Sequence, residues 1–420
     1  MKEYFFDAHM HAMNLIHPSF SSFVDSVSEG FTDFVSSGAL SPGYLLTPAM
    51  RGQQGLNTIL NMFSVFERPI GEIFAMMEED LHGSFASHQF ITAKKENTKV
   101  TYPDKPYIRD GKFHFRSHIY DQYAMIPLVM DFSTKSDDSS SRSYYTSEEQ
   151  EKILAYVQDT IDGIKWYRRV KKSGLLDFFP FLGINPAMHT LGFIEQLIDT
   201  HVRLPHTKKG RNEKFFRGIK FYPPLGTNPW PEEKKEREKI EYIYSFCERN
   251  RVPIITHCDD QGFRGINSKL AQKYTAPLSF KPALEKYPEL IIDFAHYGRQ
   301  YSLFGKKSIK SLIGSTFTED PWFNQIIGFM ADYEHVYADM SFSGTDPAFY
   351  KGLHSFIYQQ DEQLAEKIID RSMFGSDFSV NLAKVESYTN YLRIFEESPF
   401  SDDVIHRFAS VNPSRFLQLT

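Results

Sequence analysis

Tyr4-Phe5-Phe6-Asp7-Ala8-His9-Met10-His11 opens the chain with an apolar run that ends in two histidines. Seven later segments have the same form, a short apolar run stopping at polar or metal-type residues: 124–132 (AMIPLVMDF), 178–185 (FFPFLGIN), 218–222 (GIKFY), 252–257 (VPIITH), 290–296 (LIIDFAH), 336–341 (VYADMS) and 372–377 (SMFGSD). Near-continuous apolar character suits parallel strands buried on both faces. Helical patterns lie between them. Residues 147–170 open on Ser-Glu-Glu-Gln, a capping signature, and 231–251 carry a stripe at Ile240, Ile243, Tyr244 and Cys247. Further helical patterns cover 280–287, 320–333, 347–370, 385–397 and 402–419.

Strands alternating with helices predict βαβ units, and the spacing from the second strand onward is near the repeat of a (β/α)8 TIM barrel. The fold class is therefore α/β, a single barrel domain over residues 1–420. The interval between the first two strands is too long for a connection. Residues 17–120 are read as an insertion, helical over 57–85 (Met62, Phe66, Ile70, Ile73, Met77) and loop or hairpin over 97–116. The Ser-rich stretch 133–142 is read as a surface loop.

The formal net charge is −6, which argues against nucleic acid as a partner. Lys208, Lys209 and Arg211 form a small basic cluster, and 232–239 alternate Glu with Lys and Arg as the wet face of a helix does. Two cysteines, Cys247 and Cys258, do not suggest a disulfide framework. No run reaches the ~20 apolar residues of a membrane helix. The expectation is a cytoplasmic enzyme with a small-molecule substrate and no membrane partner; association into a homo-oligomer is left open.

Alternate strand residues share a face, so His9 and His11 would both point into the barrel, with Asp7 of the same parity orienting a ligand. Paired imidazoles suit zinc or a similar ion, although an H-x-H alone also occurs in tails and hydrogen-bonded cores. His257, His296, Asp377 and Lys220 each have an ordinary reading too: a core histidine, a helix N-cap, a surface cation. Their conjunction is the signal. All fall at the C-terminal ends of predicted strands, where barrel enzymes build their sites. Tyr222, Arg264, Arg299 and Asn381 lie in the same loops; Tyr222, Arg264 and Arg299 are candidate substrate-binding residues, the arginines suited to an acidic group.

The ordered set Asp7-x-His9-x-His11, Lys220, His257, His296, Asp377 resembles the metal-site pattern of the amidohydrolase superfamily. Gly218-Ile-Lys-Phe-Tyr-Pro223 resembles the strand-four segment of dihydroorotase-like members, whose lysine is carboxylated, and that of the amidohydrolase-related branch containing decarboxylases and lactonases. Residues 411–417 are similar to the closing helix of that branch, while the long insertion departs from compact members. The resemblance implies a divalent ion, zinc by expectation, in one of two arrangements. In one, His9, His11 and Asp377 hold one ion, His257 and His296 a second, and carboxylated Lys220 bridges. In the other, His9, His11, His257 and Asp377 hold a single ion and His296 meets substrate.

The implied reaction is hydrolysis of an amide, lactone or ester, with water activated by the metal and Asp377 and His296 as the catalytic residues. The alternatives are decarboxylation of a small carboxylated compound and a barrel without turnover. His9-x-His11, where related decarboxylases often carry Glu-x-His, favours hydrolysis. No G-x-G-x-x-G or P-loop follows a strand, which disfavours a nucleotide-binding protein.

Overall fold

The structure is a computed structural model and describes residues 2–14, 17, 64–84, 106–133, 149–171, 174–205, 207, 214–301, 316–385 and 387–419. The strand β1 (Tyr4–Met10) pairs in parallel with β2 (Gln122–Pro127), and β2 pairs with the first half of β3 (Leu176–Phe178). Pro180 offers no N–H, and the ladder breaks there. The second half of β3 (Phe181–Gly183) starts the remaining sheet, which continues through β4 (Gly218–Phe221), β5 (Ile254–Thr256), β6 (Ile292–Phe294), β7 (Val336–Asp339) and β8 (Ser372–Met373). Two seams join the sheets. One is the Leu128–Phe181 bridge; the other is the Met10–Phe378 bridge together with Ala8 N–H donating to Phe374 O at 2.9 Å. The result is a (β/α)8 barrel, with all eight expected strands in place.

One apolar cluster takes residues from strands on opposite sides of the ring: Phe6, Ala8, Ile126, Phe181, Ile255, Tyr337 and Met373, stoppered by Phe416 and Leu417. Only the barrel interior is common to those strands. The outer cluster packs helices against the ring. Several helices begin where a side chain relieves their free N–H groups. Thr190 accepts from Phe193 N–H ahead of Leu191–His201, and Asp320 accepts from Trp322 and Phe323 N–H ahead of Pro321–Asp332. The single helix expected over 347–370 is two, Pro347–Ile357 and Glu362–Arg371, because Asp361 caps the second by accepting from Leu364 N–H.

Between β1 and β2 the chain forms a helix, Ile70–Leu81, entered through Pro69, and a three-stranded antiparallel meander, 108–120. Among its described residues the insertion is thus a helix followed by a meander, in line with the helical and hairpin patterns of its sequence. Its N-terminal part, residues 57–63 of the expected helix, Ser147 and Glu148 of the capping pattern, residues 134–142 of the Ser-rich stretch, and Lys208, Lys209 and Arg211 lie outside the described residues. Among the described residues no helix is long and apolar enough to cross a membrane.

Arg116 ties the meander to the end of the chain. Its guanidinium donates to Glu396 O at 2.7 Å, Ser398 O at 2.6 Å and Phe400 O. Arg116→Ala would leave those carbonyls without a donor, and a charged hydrogen bond contributes about 1.5–3 kcal/mol. A destabilisation of about that size is expected in urea unfolding; an unchanged midpoint would show that water replaces the guanidinium at no cost.

Candidate metal centre

The C-terminal ends of the strands bring His9, His11, Lys220, His257, His296 and Asp377 into one buried cluster, each 5% exposed or less. Strict alternation does not place them all. The β1–β2 register shifts between Asp7 and Met10, so Asp7 leaves the histidine face. Its carboxylate accepts from Ser376 N–H and Oγ at 2.8 and 2.6 Å and from Tyr388 OH at 2.8 Å, and meets His9 only at the backbone N–H, 3.3 Å away. Asp7 therefore ties β1 to the turn after β8 and orients no imidazole. Burial pushes its carboxyl up to about 7 against those hydrogen bonds. That turn needs Gly375, since a Cβ there would sit 2.8 Å from the Cβ of His9.

Two sets of ligand atoms stand side by side. In the first, His11 Nε2 is 3.1 Å and His9 Nε2 3.5 Å from Asp377 Oδ1. Among the described residues His9 Nε2 has no hydrogen-bond partner, and Asp377 Oδ1 faces these two imidazole nitrogens. The second set is His257, His296 and Asp259. Their tautomers follow from their neighbours, because a carbonyl only accepts. His257 Nε2 lies 3.2 Å from Gln261 O and 3.1 Å from Asp259 Oδ1, so it carries the proton. His296 Nδ1 lies 3.1 Å from Ser341 O, and 2.9 Å from Ser341 Oγ, whose own proton goes to Asp339. His296 Nδ1 is therefore also the donor. That leaves the lone pairs of His257 Nδ1 and His296 Nε2 facing each other at 3.2 Å. Opposed lone pairs in a buried site call for a proton or a cation between them.

Electrostatics agree with cation binding. Burial holds His9 down at about 3 and keeps His11 and His257 below the ordinary imidazole value, so all three are neutral donors of lone pairs. Burial alone would raise Asp377 and Asp259, but the adjoining His11 outweighs it for Asp377 and His257 for Asp259; both stay ionised, Asp259 at about 2. Lys220 Nζ is buried with no hydrogen-bond partner among the described residues, and burial lowers it to about 8. The backbone is strained here too. His296 and Asp377 both hold φ at 60°, a left-handed conformation that costs a non-glycine residue about 1–2 kcal/mol and clusters at functional sites.

A cavity of 30 Å³ adjoins the cluster, lined by His11, Tyr222, His257, Asp259, His296 and Asp377 among others. It is large enough for one water-sized group. The larger groove, 730 Å³ around Trp230 and Tyr274, lies elsewhere and shares none of these residues. Tyr222 stacks on His257 with ring centroids 4.4 Å apart, and its OH accepts from Phe263 N–H at 3.1 Å. Arg264 and Arg299 do not line the cavity. Arg264 donates to Asp260 O at 3.0 Å, and Arg299 faces Asp320 at 3.9 Å. Asn381 donates to Ser376 O at 2.9 Å, bracing the Asp377 turn.

Asp259, Asp339 and Ser341 were not singled out by sequence reasoning. The signal for Asp339 was there, an acidic residue interrupting the apolar run 336–341. Asp259 follows His257 by two residues, as His11 follows His9.

Comparison with known proteins gives a family. A search among curated proteins finds no match. Among solved structures, the chain resembles 5-carboxyvanillate decarboxylase from Novosphingobium aromaticivorans, complexed with manganese, at 11% identity and TM-score 0.47, covering 99% of this chain and 96% of that one. It also resembles a probable 2-pyrone-4,6-dicarboxylic acid hydrolase from Acinetobacter baumannii at 12% identity and TM-score 0.39, covering 71% and 84%. The family model described as amidohydrolase matches residues 204–419, just over half of the chain. That stretch runs from β4 through β8 and carries Lys220, His257, His296 and Asp377, and on its strength the chain belongs to the amidohydrolase family.

Proposed function

We propose that the chain is a metal-dependent enzyme acting at the carbonyl or carboxyl carbon of a small substrate. The observation that carries this reading is the convergence of ligand-type atoms: the unpartnered His9 Nε2 beside Asp377 Oδ1 and His11 Nε2 in one set, His257 Nδ1 against His296 Nε2 in the other. His9, His11 and Asp377 would hold one divalent ion, and His257 and His296 a second. When bound, such an ion acidifies water to a pKa of about 7 and polarises a carbonyl oxygen. Lys220 would join the two sets once its amine had combined with CO2, since the carbamate is anionic. The lowered Lys220 pKa of about 8 leaves a useful fraction of neutral, reactive amine near neutral pH.

In hydrolysis, Asp377 takes a proton from the water that adds to the carbonyl carbon and returns it to the departing nitrogen or oxygen. Tyr222 keeps the His257 ring in place, and the apolar side chains of Phe263, Phe342 and Val380 around the cavity limit bulk water.

Decarboxylation fits these residues at least as well. An unmodified Lys220 is a cation and cannot ligate, which leaves a single ion on His9, His11, His257 and Asp377. His296 is then free. As the bond to the carboxyl carbon breaks and CO2 departs, its electron pair stays on the substrate carbon, and His296, having first taken a proton from solvent at Nε2, supplies the proton that carbon needs.

Metal content per chain tests the arrangement, read beside Lys220→Ala and with bicarbonate present. Two ions, falling to one in Lys220→Ala and rising with bicarbonate in the unaltered chain, are expected for the bridged centre. One ion, indifferent to both, moves the reading to the single-ion centre and decarboxylation. Release of CO2 from small aromatic acids, against incorporation of ¹⁸O from water into cleaved lactones or amides, then separates the reactions. A chain that takes up neither zinc nor manganese overturns the reading.

A further inference from the structure

Asp339 is fully buried at the last position of β7, and its two oxygens serve different histidines. Oδ2 accepts from His9 Nδ1 at 2.7 Å. Oδ1 accepts from His296 N–H at 3.1 Å, from Ser341 N–H at 3.0 Å and from the Ser341 hydroxyl. The same Ser341 receives the His296 Nδ1 proton. One carboxylate thus decides which nitrogen of His9 bears the proton and, through the Ser341 hydroxyl, supports the His296 tautomer that Ser341 O already sets.

We infer that Asp339 is a positioning residue of the metal centre, holding His9 as its Nδ1–H tautomer so that the Nε2 lone pair faces the ion, and bracing His296 through its backbone N–H and the Ser341 hydroxyl. The inference rests on the metal-binding reading above. A carboxylate fits this place for a reason that an amide does not share. Its oxygens are all acceptors, and the groups of His9, His296 and Ser341 that face it are all donors. In Asp339→Asn the NH2 group must go to one side or the other. At the Oδ1 position it would meet two backbone N–H groups that cannot turn away. It therefore goes to His9, where it donates to Nδ1 and forces the proton onto Nε2, into the ion's place. Outer-shell partners of this kind are worth about 10–100-fold in metal affinity.

The test uses full-length protein labelled with ¹⁵N-histidine, stripped of metal, with His9 assigned from the signal lost in His9→Gln. Long-range ¹⁵N–¹H spectra read the tautomer, and competition with a chromogenic chelator reads Mn²⁺ and Zn²⁺ affinity. Expected are His9 Nδ1–H in the unaltered chain, Nε2–H in Asp339→Asn, and affinity about 10–100-fold weaker in that variant. Ser341→Ala should leave the His9 proton where it is, and the His296 proton too, because Ser341 O still accepts it. An Nε2–H in the unaltered chain overturns the inference, whether or not Asp339→Asn folds. So does an affinity loss in folded Asp339→Asn without a change of tautomer, which would make Asp339 an ordinary ligand. An unaltered chain that binds no ion sinks the metal reading itself. An unaltered chain that binds normally beside a folded, equally tight Asp339→Asn sinks only the role of Asp339.

Discussion

Returning Mn²⁺ or Zn²⁺ to the chelated protein, at 100 to 1,000 times its dissociation constant, should stabilise the fold by about 3–4 kcal/mol. Asp377→Asn should remove most of that gain. Without a cation the barrel mouth keeps His9 Nε2 buried and unpartnered, and two ring nitrogens with their lone pairs opposed at 3.2 Å. Each buried polar group left unsatisfied costs about 1–3 kcal/mol, so an ion offsets a penalty the fold already carries. Asp377 supplies the negative charge of the first set, and an amide there removes that charge. Thermal melts at fixed ion concentration check this; equal melting temperatures with and without the ion would mean that the cluster is a hydrogen-bonded core.

The chelated protein should also be sensitive to mild acid. Burial puts the folded-state value of His9 at about 3 and those of His11 and His257 below the ordinary one, whereas in the unfolded chain they titrate near ~6.5. The unfolded state then binds more protons between those values, so stability rises with pH there. The contribution is complete above ~6.5 and is lost progressively as pH falls from there toward 3.

The barrel and the cluster of side chains at its mouth were legible because both follow from local rules. A strand buried on both faces reads as an apolar run, and a barrel enzyme places polar residues where such runs end; His257, His296 and Asp377 obey both rules. What escaped depends on departures from regularity. The register shift in β1 turns Asp7 away from His9, although the two are spaced as same-face residues. The turn to Asp361 divides a helix whose apolar periodicity runs on through it. Asp339 sits at a legible position, but its role depends on contacts 43 and 330 residues away in sequence, which no local pattern encodes. Arg264 and Arg299 show the converse. Their positions after site histidines suggested substrate contacts, and their guanidinium groups instead meet Asp260 and Asp320.

Phe5→Ala should destabilise the protein by about 3–5 kcal/mol, the usual cost of truncating a buried aromatic ring, while the metal affinity of the molecules that remain folded stays near that of the unaltered chain. Phe5 is fully buried in β1. Its ring centroid lies 4.7 Å from Phe113, 4.9 Å from Phe115, 5.4 Å from Tyr120, 5.3 Å from Tyr123 and 5.5 Å from Phe374. Three of those rings belong to the meander of the insertion, one to β2, and one to the segment that follows β8. The ring therefore fastens the insertion to the seam where the barrel closes, four residues before His9. Little can collapse into the space it leaves, because the surrounding rings are held by separate elements. Aromatic pairs of this geometry add about 0.5–1.5 kcal/mol beyond burial, which places the expectation toward the upper end of the range. Urea unfolding gives the stability, and chelator competition on the folded fraction gives the affinity. A loss under 1 kcal/mol would mean the meander is only loosely joined to β1. A large loss accompanied by weakened metal binding would mean that the aromatic seam itself holds His9 in register.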